Sequence, residues 1–173
     1  MNNPLILFTL CIMASMTSFA QSELKNGVYE FSTTNSTRYE TETSRRTLIV
    51  ENDTTVHYSI YDRKDGMGFY SGCGNFGGNP LKLEKHVADF YKAHNEFMEL
   101  HIRIINSDTI DVEVINSIIY CITQTGQQII RESFLSETKT LTFVRELTAE
   151  DEEMLKDAKR LLEYYKEWKG KND

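Results

Sequence analysis

The sequence predicts a mainly β protein in which an antiparallel meander is followed by an amphipathic helix. From Gly27 to Arg145, apolar and polar residues alternate with a period of two, and β-branched and aromatic residues are frequent. Short groups of turn-forming residues interrupt this alternation at regular intervals. From Thr148 to Trp168 the apolar period becomes that of a helix. The alternative is a two-layer α+β arrangement, with helices covering one face of an open sheet.

The first part of the alternating region supplies strands of unequal clarity. They are expected at 28–33, 47–51, 54–61 and, more weakly, 67–71. The polar stretch 34–45 is either a long loop or the arms of a solvent-exposed hairpin. Between the second and third strands, Asn52-Asp53 is a natural hairpin turn.

The segment from Leu81 to His94 interrupts the meander and is predicted to be a helix. Its apolar side chains have the helical spacing i, i+4, i+7 and i+8: Leu83, Val87, Phe90 and Tyr91. The same segment also contains a tolerable period-two pattern. A strand is therefore the alternative here.

The clearest strand runs from Glu96 to Ile105. One face is apolar and the other polar, with Met98, Leu100, Ile102 and Ile104 opposed to Glu99, His101 and Arg103. After the turn at 106–108, further strands are expected at 109–115, 118–123, 128–135 and 139–145. The short connections between them indicate antiparallel neighbours.

The C-terminal helix is predicted from Thr148 to Trp168. Its apolar stripe comprises Met154, Leu155, Ala158, Leu161, Leu162, Tyr165 and Trp168. Thr148 is a good N-cap, and Asp151 stands three residues later, as in a capping box. We expect this helix to dock on the sheet or to close a barrel; presentation to a partner is the alternative.

The composition is that of an ordinary globular protein with an acidic surface. The chain has 173 residues, 40% of them hydrophobic, and its 19 Lys and Arg against 26 Asp and Glu give a net charge of −7. Because no basic surplus is available to neutralise phosphates, a nucleic-acid partner and an electrostatic hold on anionic membranes are both disfavoured.

The N-terminus has the pattern of a secretory signal peptide. An apolar run from Leu5 to Ala14 precedes Ser18-Phe19-Ala20, which places small residues at −3 and −1 of a cleavage site. A membrane anchor is the rival interpretation. Cleavage before Gln21 predicts a secreted or periplasmic protein without an integral membrane span. The expected organisation is a signal peptide at 1–20, an antiparallel β domain at 21–147 and, packed on the same domain, a helix at 148–170.

Cys73 and Cys121 are the two cysteines of the expected mature chain. Two free thiols are a liability in an oxidising compartment, so we predict a disulfide between them. Cys121 alternates with the apolar residues of its strand, so it can reach a loop folded over the sheet. No C-x-x-C pair is present to favour a redox-active or zinc site.

No local motif for catalysis, metal binding or cofactor binding is present. The window Gly66–Gly78 is rich in glycine but lacks both phosphate-loop patterns, so we expect a flexible crossing loop pinned by Cys73. The four histidines form no metal-ligand motif and are expected to face solvent: His57, His86, His94 and His101. No catalytic residue, metal or cofactor is therefore predicted, and a hydrolase with a non-local site is the least favoured function.

Six side chains are expected inside the β structure: Tyr58, Met98, Leu100, Ile102, Val112 and Tyr120. A barrel of about eight strands either fills with side chains or holds one small ligand, and strand patterning is the same in both cases. The sequence therefore leaves two functions open. The chain is an exported protein that binds a small apolar ligand, or a module of the cell envelope that contacts another protein or has a structural role.

The order of elements resembles that of the lipocalin (calycin) family. Gly27-Val28-Tyr29 opens the first strand, a meander follows, and Arg145 ends the last strand before a helix. In lipocalins a Gly-x-Trp on the first strand and a basic residue after the last strand pack together across the closed end of the barrel. The resemblance implies a barrel in which Tyr29 stands at the tryptophan position and packs against Arg145.

Overall fold

The computed structural model describes residues 23–67, 69–75, 80–123, 128–133 and 137–172. Within these ranges it contains ten strands, all paired antiparallel, and a C-terminal helix. The strands are β1 (Gly27–Ser36), β2 (Glu40–Asn52), β3 (Thr55–Gly66), β4 (Phe69–Asn75), β5 (Leu81–Val87), β6 (Phe90–His94), β7 (Met98–Asn106), β8 (Thr109–Thr123), β9 (Gln128–Ser133) and β10 (Glu137–Arg145), and the helix is α1 (Ala149–Asn172). The predicted mainly β class is confirmed, and the open α+β alternative is not formed.

Eight of the strands close into a ring. Its order is β1, β2, β3, β5, β6, β7, β8 and β10, and β10 pairs again with β1. On one side, β4 joins β3 directly to β8, and β9 pairs with the far half of β8. This ring-like sheet fits a barrel-like fold. We call the end where β1 begins the base, and the end where β1 turns into β2 the rim.

The hydrophobic core lies inside the ring, because strand alternation directs every second side chain there. Each of the eight ring strands contributes at least one buried side chain to a single packed cluster, and Leu24 joins it from the chain segment ahead of β1. On β7 the buried residues are the four that the sequence assigned to the apolar face: Met98, Leu100, Ile102 and Ile104. The predicted face of this strand is confirmed.

Gly27 is where β1 and β10 approach most demandingly at the base. Its φ of +142° is a conformation that favours glycine. A Cβ atom at this position would lie 2.5 Å from the Phe143 ring and 2.6 Å from the Arg145 carbonyl oxygen. The glycine of the opening motif therefore permits the closure of the ring.

The helix predicted from Leu81 to His94 is wrong, because the segment forms β5 and β6 with a turn between them. Leu83 and Tyr91 are buried in either conformation, so they do not distinguish the two periods. Val87, which a helix would bury, is 60% exposed. The strands form because β3 and β7 offer edges for β5 and β6 to pair with.

Two adjoining predictions also change. Segments 109–115 and 118–123 form one strand, β8, because a register shift in its pairing with β7 absorbs the polar break between them. The glycine-rich window is not a loop over the part described as β4, which pairs with β3 and β8. Residues 76–79 of that window lie outside the described ranges. The hairpin alternative for 34–45 is confirmed, since β1 and β2 extend into it.

Helix α1 packs on the outside of the ring. Leu155 is buried in a small cluster with Val28 and Ile49, which alternate with the core residues of β1 and β2 and so lie on the outer face. The capping box forms: the Thr148 amide donates to Asp151 Oδ2 over 2.8 Å, and the Asp151 amide donates back to Thr148 Oγ1 over 3.3 Å. The predicted docking of the helix on the sheet is confirmed.

The structure describes no helix that is long and apolar enough to span a membrane, a statement that covers only the ranges given above. The predicted signal peptide at 1–20 lies outside those ranges.

Candidate functional site

The interior residues that the sequence singled out are packed core wherever their side chains are described. Tyr58 and Met98 are each 1% exposed. The other three are fully buried and belong to the same cluster: Leu100, Ile102 and Val112. The side chain of Tyr120, the sixth candidate, lies outside the described part of the structure.

A buried guanidinium lies above this core, on the rim side. Arg46 alternates with Leu48 and Val50 on β2, which directs it into the ring, and only 5% of its side chain is exposed. It donates to Asp62 Oδ1 over 2.7 Å and to Asp62 Oδ2 over 3.1 Å, and it reaches Glu137 of β10 at 3.1 Å. We call Arg46, Asp62 and Glu137 the rim cluster.

The rim cluster is held in its charged form by its own contacts. Burial opposes the charge on Arg46, but the hydrogen bonds and charges of Asp62 and then Glu137 outweigh it and raise the pKa of the guanidinium. Burial also opposes ionisation of Glu137, yet Lys139 and Arg46 lower the pKa of this carboxyl. Beneath them, burial is the main cause that raises the pKa of Tyr58. The cluster is an ion-pair network and offers no poised acid or base.

The rim cluster spans a seam in the ring. β1 pairs with β10 only through Val28, Tyr29 and Glu30, whereas residues 137–142 of β10 pair with β8. Above Glu30 the two strands are therefore joined by side chains rather than by backbone pairing. Glu137 reaches Arg46, and Lys139 lies over the Phe31 ring at 5.1 Å from its centre. We call the gap between residues 31–36 of β1 and residues 137–141 of β10 the seam.

The predicted packing of Tyr29 against Arg145 is wrong. Tyr29 lies in the core, with the edge of its ring against Phe143 at 5.3 Å between ring centres. Arg145 pairs with Val28, whose side chain faces the helix, and its guanidinium binds the Asp151 carboxylate. Neighbouring residues of β1 face opposite sides, so each half of the predicted pair has a different partner.

The outer face beneath α1 carries a second polar network. Glu51 accepts a hydrogen bond from Lys159 over 2.6 Å and lies 3.0 Å from His57 Nε2. Burial opposes ionisation of Glu51, but these two contacts lower the pKa of its carboxyl. His57 was expected to face solvent and is 4% exposed, because the helix covers this face. Beside it, a groove of about 180 Å³ runs between the strands and Met154 and Leu155.

The other histidines hold no metal-ligand arrangement in the ranges that the structure describes, where three or more candidate ligands do not come together. His101 sits between Glu99 at 3.4 Å and Glu113 at 3.6 Å, and its ring meets Phe90 edge-on. A second groove, of about 150 Å³, opens beside it on the outer face of β7 and β8.

The two cysteines of the expected disulfide are brought together by the backbone. β4 and β8 pair in the register that sets Cys73 directly opposite Cys121. The side chain of Cys121 is not described, so the bond remains a prediction, now with a suitable backbone position.

Comparisons with protein-family models, with curated proteins and with solved structures find no match for this chain. The resemblance to lipocalins accordingly rests on the order of the elements and on the ring-like sheet.

The rim cluster was missed by sequence reasoning, which assigned Arg46 to a polar stretch and began the strand at Thr47. A signal was available: Arg46 has the same parity as Leu48 and Val50, so extending the strand by one residue directs it inward.

Proposed function

We propose that this chain is an exported interaction module, a filled β-barrel that works through its outer surface in the cell envelope. The observation that carries the proposal is the packing of the interior. Met98, Leu100 and Ile102 lie in one cluster with side chains from every strand of the ring. A site for a drug-sized ligand is typically a cavity of about 300 Å³ or more, and both grooves described above are smaller and lie outside the ring.

A thermal-shift titration with benzene tests the filled interior. Leu100→Ala removes a fully buried side chain, and an apolar cavity of that kind binds benzene-sized molecules. Benzene should therefore raise the Tm of Leu100→Ala and leave the Tm of the wild-type protein unchanged. The matched control is Ile105→Ala, which truncates an apolar side chain that is 52% exposed and should behave like the wild type.

Native mass spectrometry of the protein from its own cell envelope supplies the decisive second measurement. The proposal predicts the mass of the polypeptide without a small molecule. A stoichiometric small molecule that is released on unfolding would overturn it, and would favour the exported ligand-binding protein instead. A saturable rise in the Tm of the wild-type protein with small apolar compounds would overturn it as well.

A further inference from the structure

The outer edge of β1 is open beside the seam. Residues 31–36 pair with β2 along one side. On the other side, no strand within the described ranges pairs with them, because the pairing with β10 ends at Glu30. In an antiparallel sheet the backbone amides and carbonyls of a strand point alternately to its two sides. Part of the hydrogen-bonding backbone of β1 therefore faces outward along this edge.

This edge lacks the features that usually block strand addition. Natural edges are protected by lysines, prolines, bulges or very short strands. Residues 32–36 are Ser-Thr-Thr-Asn-Ser, without a charge or a proline, and all five are exposed. The pairing with β2 stays regular through Ser36, so the edge contains no bulge. It is a flat, uncharged template about as long as an ordinary strand.

The existing neighbour of β1 indicates which strand fits this edge. On the β2 side, Thr34 Oγ1 lies 3.5 Å from Thr43 Oγ1, and Ser36 Oγ lies 3.2 Å from Thr41 Oγ1. β1 thus already pairs with an antiparallel strand that carries hydroxyl side chains, and such cross-strand pairs are stabilising. The edge is itself such a strand, so a second copy in antiparallel orientation opposes Ser, Thr and Asn to one another and places no charge opposite a charge.

We propose that two copies of this chain associate by antiparallel pairing of residues 31–36 across a two-fold axis. The proposal rests on the proposed function, since it makes the outer surface the working surface. An isologous contact of this kind closes at the dimer, because each edge is used once. Each chain carries a net charge of −7 while the edge itself is neutral, so the subunits repel and association should tighten as salt screens them.

Sedimentation equilibrium across protein concentration, at low and high salt, tests the dimer. Thr34→Lys places a charge on the edge, and Thr43→Lys makes the same change directly opposite on β2, one strand away from the edge. We expect Thr34→Lys to raise the dimer Kd at least about tenfold and Thr43→Lys to change it less than about twofold, because only the first charge meets the partner strand. Circular dichroism of both variants checks that they fold.

Hydrogen exchange locates the contact. Amides within 31–36 should exchange more slowly as the wild-type dimer forms, and those of β7 should not change. A wild-type chain that stays monomeric at every concentration and salt overturns self-pairing, as does equal weakening by the two lysine variants. Protection of 31–36 only on adding a cell-envelope extract, without dimerisation, assigns the edge to a foreign strand and also overturns it. These outcomes are separate from the benzene and mass measurements, which judge the filled interior.

Discussion

Arg46 is a buried guanidinium whose two carboxylate partners still reach solvent. The Asp62 and Glu137 side chains are 41% and 30% exposed. Removing the cation leaves two like charges near the core, but water can partly solvate them. We therefore expect Arg46→Met to lower the free energy of unfolding by about 2 kcal/mol, less than the about 3–5 kcal/mol that breaking a fully buried pair costs. Urea denaturation of the purified variant measures this.

An exposed arginine provides the control for that substitution. Arg63 pairs with Asp65 on the outer face of β3, and about half of its side chain is exposed. Arg63→Met should leave the urea midpoint almost unchanged. Adding Glu137→Gln to Arg46→Met should recover part of the lost stability, because it removes one uncompensated carboxylate. Equal midpoints for the two arginine variants would contradict the network.

Acid should weaken the fold through Glu137 and Glu51. The pKa of each is lowered in the folded protein, so each favours folding fully at pH values above its unfolded pKa, near 4.5. This contribution is lost as pH falls below 4.5 and through the folded pKa. Calorimetry should show that the Glu137→Gln/Glu51→Gln variant loses less Tm over this range than the wild type does. Parallel acid limbs would refute the assignment.

Single residues were predictable where burial follows strand parity alone. Parity placed Leu100 and Ile102 in the core, and it would have placed Arg46 there had the strand been extended. It could not place Arg145, whose partner Asp151 belongs to another element. Nor could it bury His57, because the helix that covers that residue docks from far along the chain.

Helix α1 is attached to the ring by Leu155. This side chain is 4% exposed against Val28 and Ile49, whereas the neighbouring Met154 is 51% exposed. Leu155→Ala should lower the free energy of unfolding by about 2–3 kcal/mol, because a buried leucine is lost and its space is only partly refilled. Met154→Ala should cost less than about 0.5 kcal/mol. Hydrogen exchange should show faster exchange across α1 in the first variant only; the same rate in both would contradict this docking.

At the scale of elements, the sequence predicted strands well where alternation was long and poorly where it was short. β7 has four buried residues at alternate positions, a pattern that no helix matches. In β5 and β6, Leu83 and Tyr91 satisfy both periods, so local spacing could not choose between them. The choice was made by pairing with β3 and β7, which is a tertiary effect.

The closure of the whole molecule depends on pairings between distant segments. β10 meets β8 through residues 137–142 and then meets β1 through residues 142–145, so one strand joins two neighbours in succession. This succession creates the seam. Local sequence can indicate that strands exist, but it does not state which ones become neighbours. The meander was therefore predictable, whereas the open edge of β1 was not.

The bond predicted between Cys73 and Cys121 would tie β4 to β8 across the segment that forms β5, β6 and β7. The register sets the two residues directly opposite one another. Opposed residues of an antiparallel pair have Cα atoms about 4.5–5.5 Å apart, within the about 4.4–6.8 Å that a disulfide spans. A bridge that closes a loop of this length stabilises a fold by about 4 kcal/mol in the chain-entropy account.

We expect non-reducing peptide mapping of the exported protein to show one cross-linked pair, Cys73 with Cys121. A reductant should then lower the Tm of the wild-type protein, because the unfolded chain regains the freedom that the bond removed. The double variant Cys73→Ser/Cys121→Ser should melt near the reduced wild type and should not respond to reductant. Alkylation of both thiols without prior reduction would show that the opposed cysteines are not bonded, and the stability of the fold would then depend on the packed interior and the helix alone.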